Sequence, residues 1–147
     1  MTKRERRRDS YIRRKYGRSL RWYNRKLEEQ DGRCAICGKH WKDFKAGMPL
    51  AVDHDHKLAG LYIYTFRIDC MYVAWVPQFK YKVFVSFKNP KVVRKKMRMW
   101  LKRKANRGLL CYPCNTALRK LGDRPKKFLA AAIYLFSYQV GMEWRHK

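Results

Sequence analysis

The chain has 147 residues, enough for one domain with an embedded subdomain, and its 46% hydrophobic and 15% aromatic content is enough to build a core. That content excludes a disordered basic tail, and 37 Lys+Arg against 11 Asp+Glu leave a net charge of +26, which calls for a polyanionic partner, nucleic acid before an anionic membrane. No run of about 18 apolar residues occurs, and the Met-Thr-Lys-Arg-Glu-Arg-Arg-Arg start has no apolar core, so neither a membrane span nor a secretory signal is expected.

Residues 1–33 carry 13 Lys/Arg and 5 acidic residues, and the first nine read as a mobile basic arm. Ser10 to Tyr16 forms a short predicted helix ending at Gly17. Ser19 caps a second that runs to Gln30, with Trp22, Tyr23 and Leu27 on one side and Gly32 as the stop. Leu50-Ala51-Val52 is a short strand leading into Asp53-His54-Asp55-His56. Leu61–Ile68, Met71–Val76 and Phe79–Phe87 read as strands. In the last, Phe79, Tyr81, Val83, Val85 and Phe87 share one face, with Lys80, Lys82, Phe84 and Ser86 on the other. After Asn89-Pro90, Lys91 to Lys104 is an amphipathic helix with Val93, Met97, Trp100 and Leu101 inward. Lys88 to Arg107 holds ten Lys/Arg and no acid. Arg107 to Leu110 is a strand, Tyr112 to about Leu121 a helix ended by Gly122. Asp123 and Pro125 open a final helix that buries Phe128, Leu129, Ala132, Ile133, Phe136 and Val140.

Five cysteines are an odd number, and four stand in Cys34-x-x-Cys37 and Cys111-x-x-Cys114. Without an export signal, such pairs point to metal rather than disulfides, and four thiolates complete a closed tetrahedral zinc shell that is structural. Cys70 reads as a buried small hydrophobe, and His40, three residues after Cys37, as a solvated or phosphate-facing side chain.

The chemistry-bearing residues lie outside the thiolates. In an extended segment His54 and His56 point one way and Asp53 and Asp55 the other, unless the backbone turns. A polar turn that caps backbone groups is the alternative reading. Asn115, early in the helix after the second knuckle, brings an amide oxygen toward Asp53. One carboxylate plus one amide with open water positions suits Mg²⁺, and a neutral imidazole suits proton abstraction from water. For phosphate contacts the candidates are the N-terminal arm and the basic helix, through Arg94, Lys95, Arg98, Lys102 and Arg103. Trp22 and Trp100 read as core rather than as stacking platforms.

These residues resemble the HNH (ββα-metal) nucleases, specifically the recombination endonuclease VII family known from phages. The resemblance rests on Tyr16-Gly17, Gln30 to Gly38, Val52 to His56, Arg107 to Asn115, and Leu121 to Leu135, in the family's order and over about two-thirds of the chain. It does not extend to residues 61–105, where the family has a short loop. The resemblance implies an α+β fold: a zinc-stapled ββα-metal (HNH, His-Me finger) core flanked by helices, here with an inserted β-meander and basic helix. The expected parts are an N-terminal arm and helix (1–33), a nuclease core (34–122, insert about 61–105) and a C-terminal helix (123–147).

The resemblance also implies structural Zn²⁺ on Cys34, Cys37, Cys111 and Cys114, and a catalytic Mg²⁺ or Mn²⁺ on Asp53 and Asn115. His54 would be the general base and His56 a second catalytic or phosphate-contacting group. Leu118 departs from the phage prototype, which has an acidic residue there. The expected activity is DNA endonuclease cleavage of duplex or branched DNA, or nicking, in the cytoplasm of a bacterium or a phage-infected host. A homodimer is compatible with the sequence. The rival expectation is a non-catalytic zinc-stapled nucleic-acid-binding protein.

Overall fold

The computed structural model describes residues 1–44, 49–79, 82–87 and 89–139, and shows a mixed α+β chain with two small sheets. Helix α1 (Lys3–Tyr16) begins well before Ser10, so the expected mobile arm is helical. The reason is local: Thr2 and Glu5 form a reciprocal capping box, with Glu5 N–H on the Thr2 hydroxyl at 3.2 Å and Thr2 N–H on the Glu5 carboxylate at 2.7 Å. Gly17 ends it in the left-handed region (φ 70°). Helix α2 (Leu20–Glu29) opens on the expected Ser19 cap, and Asp9 reaches across the corner to accept from Leu20 N–H at 2.6 Å.

The first sheet pairs β1 (Ala51–His54) antiparallel with β5 (Asn106–Leu110). The register runs Asp53 opposite Gly108 and then His54 opposite Asn106, which leaves Arg107 as an extra residue in a bulge. Behind this pair lies one core: Ile12, Tyr16, Leu20, Tyr23, Leu50, Val52, Leu109 and Leu110, together with Cys34 and Cys111. Helix α5 (Tyr112–Lys120) follows β5 directly and packs against β1.

Between β1 and β5 the chain makes a one-turn helix, α3 (His56–Ala59), then the meander β2 (Tyr64–Ile68), β3 (Met71–Trp75) and β4 (Val83–Ser86), then α4 (Pro90–Ala105). Helix α4 covers one face of the meander and makes a second core of Ile63, Ala74, Val76, Val93, Met97 and Leu101. Trp100 is half-buried against this core, and Trp22 against the first. Cations of α4 close the end of α1: Lys102 donates to the Arg14 carbonyl at 2.7 Å and Arg103 to the Gly17 carbonyl at 2.9 Å.

Three expectations need correction. The third expected strand is shorter, β4 covering only Val83–Ser86, and Phe79 does not share the face of Val83, Val85 and Phe87: those three are exposed, whereas Phe79 lies in a turn and packs with Phe84 against the second core under α4. Tyr81 and Lys80 lie outside the described residues. Cys70 is exposed, since Asp69 at φ 48° and Cys70 form the tight β2–β3 turn instead of continuing a strand. Helix α6 (Pro125–Gln139) has the expected apolar periodicity, yet Leu129, Ile133 and Phe136 are 44–63% exposed, Ala132 is exposed and Phe128 is only half-buried. Nothing among the described residues covers that stripe; Val140 lies outside them.

Candidate active site and metal centre

The four knuckle cysteines converge, with their Sγ atoms all within 4.8 Å of one another and Cys37 and Cys111 at 3.8 Å. A tetrahedral Zn²⁺ with ~2.3 Å bonds needs sulfur–sulfur edges of about 3.8 Å, so the donor set fits that ion. The first knuckle is shaped by Gly32 and the bridge between Arg33 and His40. At Gly32 (φ 65°) a Cβ would come within 2.5 Å of the His40 ring, so neither the backbone angle nor the space admits a side chain. His40 accepts from Lys42 N–H through Nδ1, which places it in a local cap and outside the four-sulfur cluster.

The second knuckle is delivered by β5, with Cys111 as the N-cap residue of α5. Gln30 ties the two knuckles together: its Oε1 accepts from Leu109 N–H at 2.8 Å, and its Nε2 donates to the carbonyls of Arg33 and Leu109 at 2.8 and 2.9 Å. Burial opposes a charged Cys34, but backbone N–H groups of Cys111, Cys37 and Ile36 outweigh it and bring the thiol down to about 6. Burial and the neighbouring thiols push Cys114 up. Four crowded sulfurs of this kind can all ionise only around a cation.

On the outer side of the same strand pair, Asp53 is buried and both its oxygens are held by the bulge residue Arg107, at 2.7 and 3.0 Å. Arg107 also pairs with Asp123 at 3.2 Å. Asp55 turns away and caps α3 through Leu58 N–H at 2.9 Å, so the backbone turns after His54 and the two aspartates do not share a site. His54 and His56 do come together, with ring centroids 4.2 Å apart and the Tyr16 ring 5.3 Å from His54. Burial first, then the neighbouring His56, lowers the His54 pKa below the usual histidine value, which keeps the imidazole neutral at pH 7. Asn115 stands in the first turn of α5, half-buried; its amide makes no hydrogen bond with Asp53.

The five candidate phosphate contacts lie along α4. Arg94 donates to the Thr65 hydroxyl, and Arg98 to the carbonyls of Ala59 and Leu61, both at 3.0 Å. Lys102 and Arg103 hold the end of α1, as above. Lys95 is exposed and lines an open groove of about 740 Å³ between α1 and α4, together with Arg6, Arg13, Arg14, Arg98 and Lys102. Four of the five therefore spend at least one donor inside the protein and also fasten the fold.

A sequence model of recombination endonuclease VII matches residues 9–137, nearly the whole described chain. The protein belongs to the recombination endonuclease VII family. Comparison with curated proteins and with solved structures gives no match. Membership makes this endonuclease VII homologue a nuclease, and it gives the +26 charge its partner, a nucleic acid. No helix among the described residues is long and apolar enough to cross a membrane. Three polar residues of the site escaped the sequence reading. Gln30 and Asp123 gave no signal of their own. Arg107 could have been suspected, because a lone cation opening a strand opposite a buried aspartate is a natural ion-pair partner.

Proposed function

We propose that the protein is a metal-dependent DNA endonuclease of the HNH (ββα-metal) type, with its active centre on β1, β5 and α5. The observation that carries this reading is the close, tilted His54–His56 pair beside the buried Asp53, on a strand pair fixed by four converging cysteines. His54, neutral at pH 7 and half-buried, takes the proton from the attacking water. His56, exposed at the start of α3, contacts the scissile phosphate.

The donors of Asp53 and Asn115 suit a hard divalent cation, Mg²⁺ or Mn²⁺, which supplies charge stabilisation to the phosphate and the departing oxygen when bound. Asp53 can serve such an ion only if Arg107 releases at least one carboxylate oxygen, and the freed guanidinium is then available to a phosphate. Branched DNA, and ordinary duplex as a target for nicking, are the substrates to try first.

One observation favours the second reading, a non-catalytic zinc-stapled DNA-binding protein: an aspartate clamped by arginine through both oxygens is a complete structural ion pair as it stands. Supercoiled plasmid incubated with the zinc-loaded protein, with and without added Mg²⁺ or Mn²⁺, decides between them. Metal-dependent relaxation is expected, with His54→Ala slower by about 10²–10⁴-fold at unchanged duplex affinity, the range for loss of a general base. The lowered His54 pKa sets the sign of the pH response. The base is present at pH 7, and the rate falls only as pH drops below the usual histidine value of about 6.5. Plasmid left intact by a protein that still binds it would establish the binding-only reading.

A further inference from the structure

The meander has two faces of opposite character. Helix α4 covers the one carrying Tyr72, Ala74, Phe84 and Ser86. The other face, set by the register of Tyr64 opposite Trp75 and of Phe66 opposite Val73 and, through it, Val85, has no element over it among the described residues. There Tyr64, Phe66, Val83 and Val85 are 44–49% exposed, and Tyr62 and Phe87 extend the row at either end at 67% and 70%. The rings adjoin one another: Tyr62 and Tyr64 centroids are 4.9 Å apart, Tyr64 and Trp75 6.1 Å. A contiguous apolar sheet face of this kind on a soluble chain marks a binding surface.

Charge decides what covers it. Residues 61–105 hold 12 Lys/Arg and one acid, Asp69, with eight of the cations on α4 behind the sheet. A second copy laid sheet to sheet would bring together two chains of net charge +26, whereas a polyanion is drawn to that field. Nucleic acid answers both features, because every base has a π-face for an aromatic ring and every phosphate a charge for Lys or Arg. Duplex bases hide their faces in the stack, so the strand must be unpaired. The location also suits a nuclease. Tyr62 is six residues from His56, so even a fully extended chain would put the edge of the face within about 20 Å of the histidine pair.

We propose that the outer face of the β2–β3–β4 sheet is a base-stacking platform that holds an unpaired DNA strand next to the cleavage centre. The proposal needs only that the chain binds DNA, as its family does, and it stands whether or not His54 is the base.

The test is equilibrium binding of the full-length, zinc-loaded protein without added Mg²⁺ or Mn²⁺. Fluorescence anisotropy is followed for a labelled oligo(dT) and for a labelled duplex of equal length. Tyr64→Ala combined with Phe66→Ala alters exposed positions, and unchanged circular dichroism and zinc content confirm the fold. Binding of oligo(dT) is expected to weaken at least about 10-fold, with duplex affinity and the salt slope unchanged, since two base–ring stacks are lost and no phosphate contact is. Tyr64→Phe with Phe66→Tyr is expected to restore it, whereas Tyr64→Leu with Phe66→Leu, apolar without a π-face, is not. Equal losses on both DNAs, no loss, or undiminished oligo(dT) affinity of the leucine pair would overturn the proposal. So would sedimentation showing a wild-type dimer that the alanine pair dissociates, since a second copy would then own the face.

Discussion

The two cores of this protein are held by different means. The first, behind β1 and β5, gathers side chains from α1, α2 and both short strands, and two of its ten buried members are cysteines whose sulfurs converge with two more. Its strands have four and five residues, too few for a self-sufficient pair. The second is a helix laid on a three-stranded sheet, with Val93, Met97 and Leu101 fully buried, and none of the four converging cysteines belongs to it. Of the candidate catalytic residues, Asp53, His54 and Asn115 sit on the first, while His56 opens α3, which packs against α4. A bulge, a sharp turn after His54 and a buried carboxylate each cost stability, and a four-thiolate centre can offset those costs where a small apolar core cannot.

The largest effect therefore concerns zinc. One Zn²⁺ per chain is expected by elemental analysis. Cys111→Ser or a strong chelator is expected to unfold the first region, because structural zinc carries ~10–16 kcal/mol of apparent binding free energy in small domains. Hydrogen exchange should then rise steeply in β1, β5 and α2 while β3 and the middle of α4 stay protected. Uniform exchange across both regions would show that the cores fold as one unit and that the contrast drawn here is only static.

The reciprocal perturbation is smaller. Met97→Ala removes a side chain with no solvent exposure from the second core and is expected to cost about 2–5 kcal/mol. Thermal unfolding checks the magnitude, and zinc content should remain at one per chain. Loss of zinc in this variant would mean that α4, which runs straight into β5 at Asn106, transmits the damage to the knuckles.

The sequence was readable where the determinant is local. The Cys-x-x-Cys pairs, the Ser19 cap, the Asn89-Pro90 helix start and the apolar stripe of α4 each need only neighbouring residues, and each stands as read. It was silent or misread where a distant element chooses between equivalent faces. In β4 the alternation is real, but whether Val83 and Val85 or Phe84 and Ser86 face inward depends on which side α4 lies, and nothing within the strand encodes that. Helix α6 is a similar case, with periodicity but no cover among the described residues. At the site, the convergence of His54 and His56 was expected from strand alternation but comes with a turn after His54 that puts His56 at the start of α3, and the Arg107 clamp on Asp53 depends on a bulge that only the pairing reveals. The arm was a missed local cue: Thr2 and Glu5 spell a capping box that a run of arginines made easy to overlook.

The smallest effect tests whether the second region has its own local stability. Asn89 caps α4 with a hydrogen bond from Val92 N–H at 3.1 Å, and Pro90 fills the first helical position, where its missing N–H costs nothing. Helix α4 carries no acid in its first turn, so no other side chain there complements the helix dipole. Asn89→Ala is expected to lower stability by about 1 kcal/mol, and Asn89→Asp to preserve or raise it by placing a negative charge at the helix start. Both are read by denaturant midpoint at constant slope. Because the cap lies at the end of α4 away from β5, exchange should rise in the first turns of α4 and in β4 while the zinc-stapled strands are unmoved. If β1 and β5 respond as strongly as β4, α4 is a shared spine and the two cores are one cooperative structure.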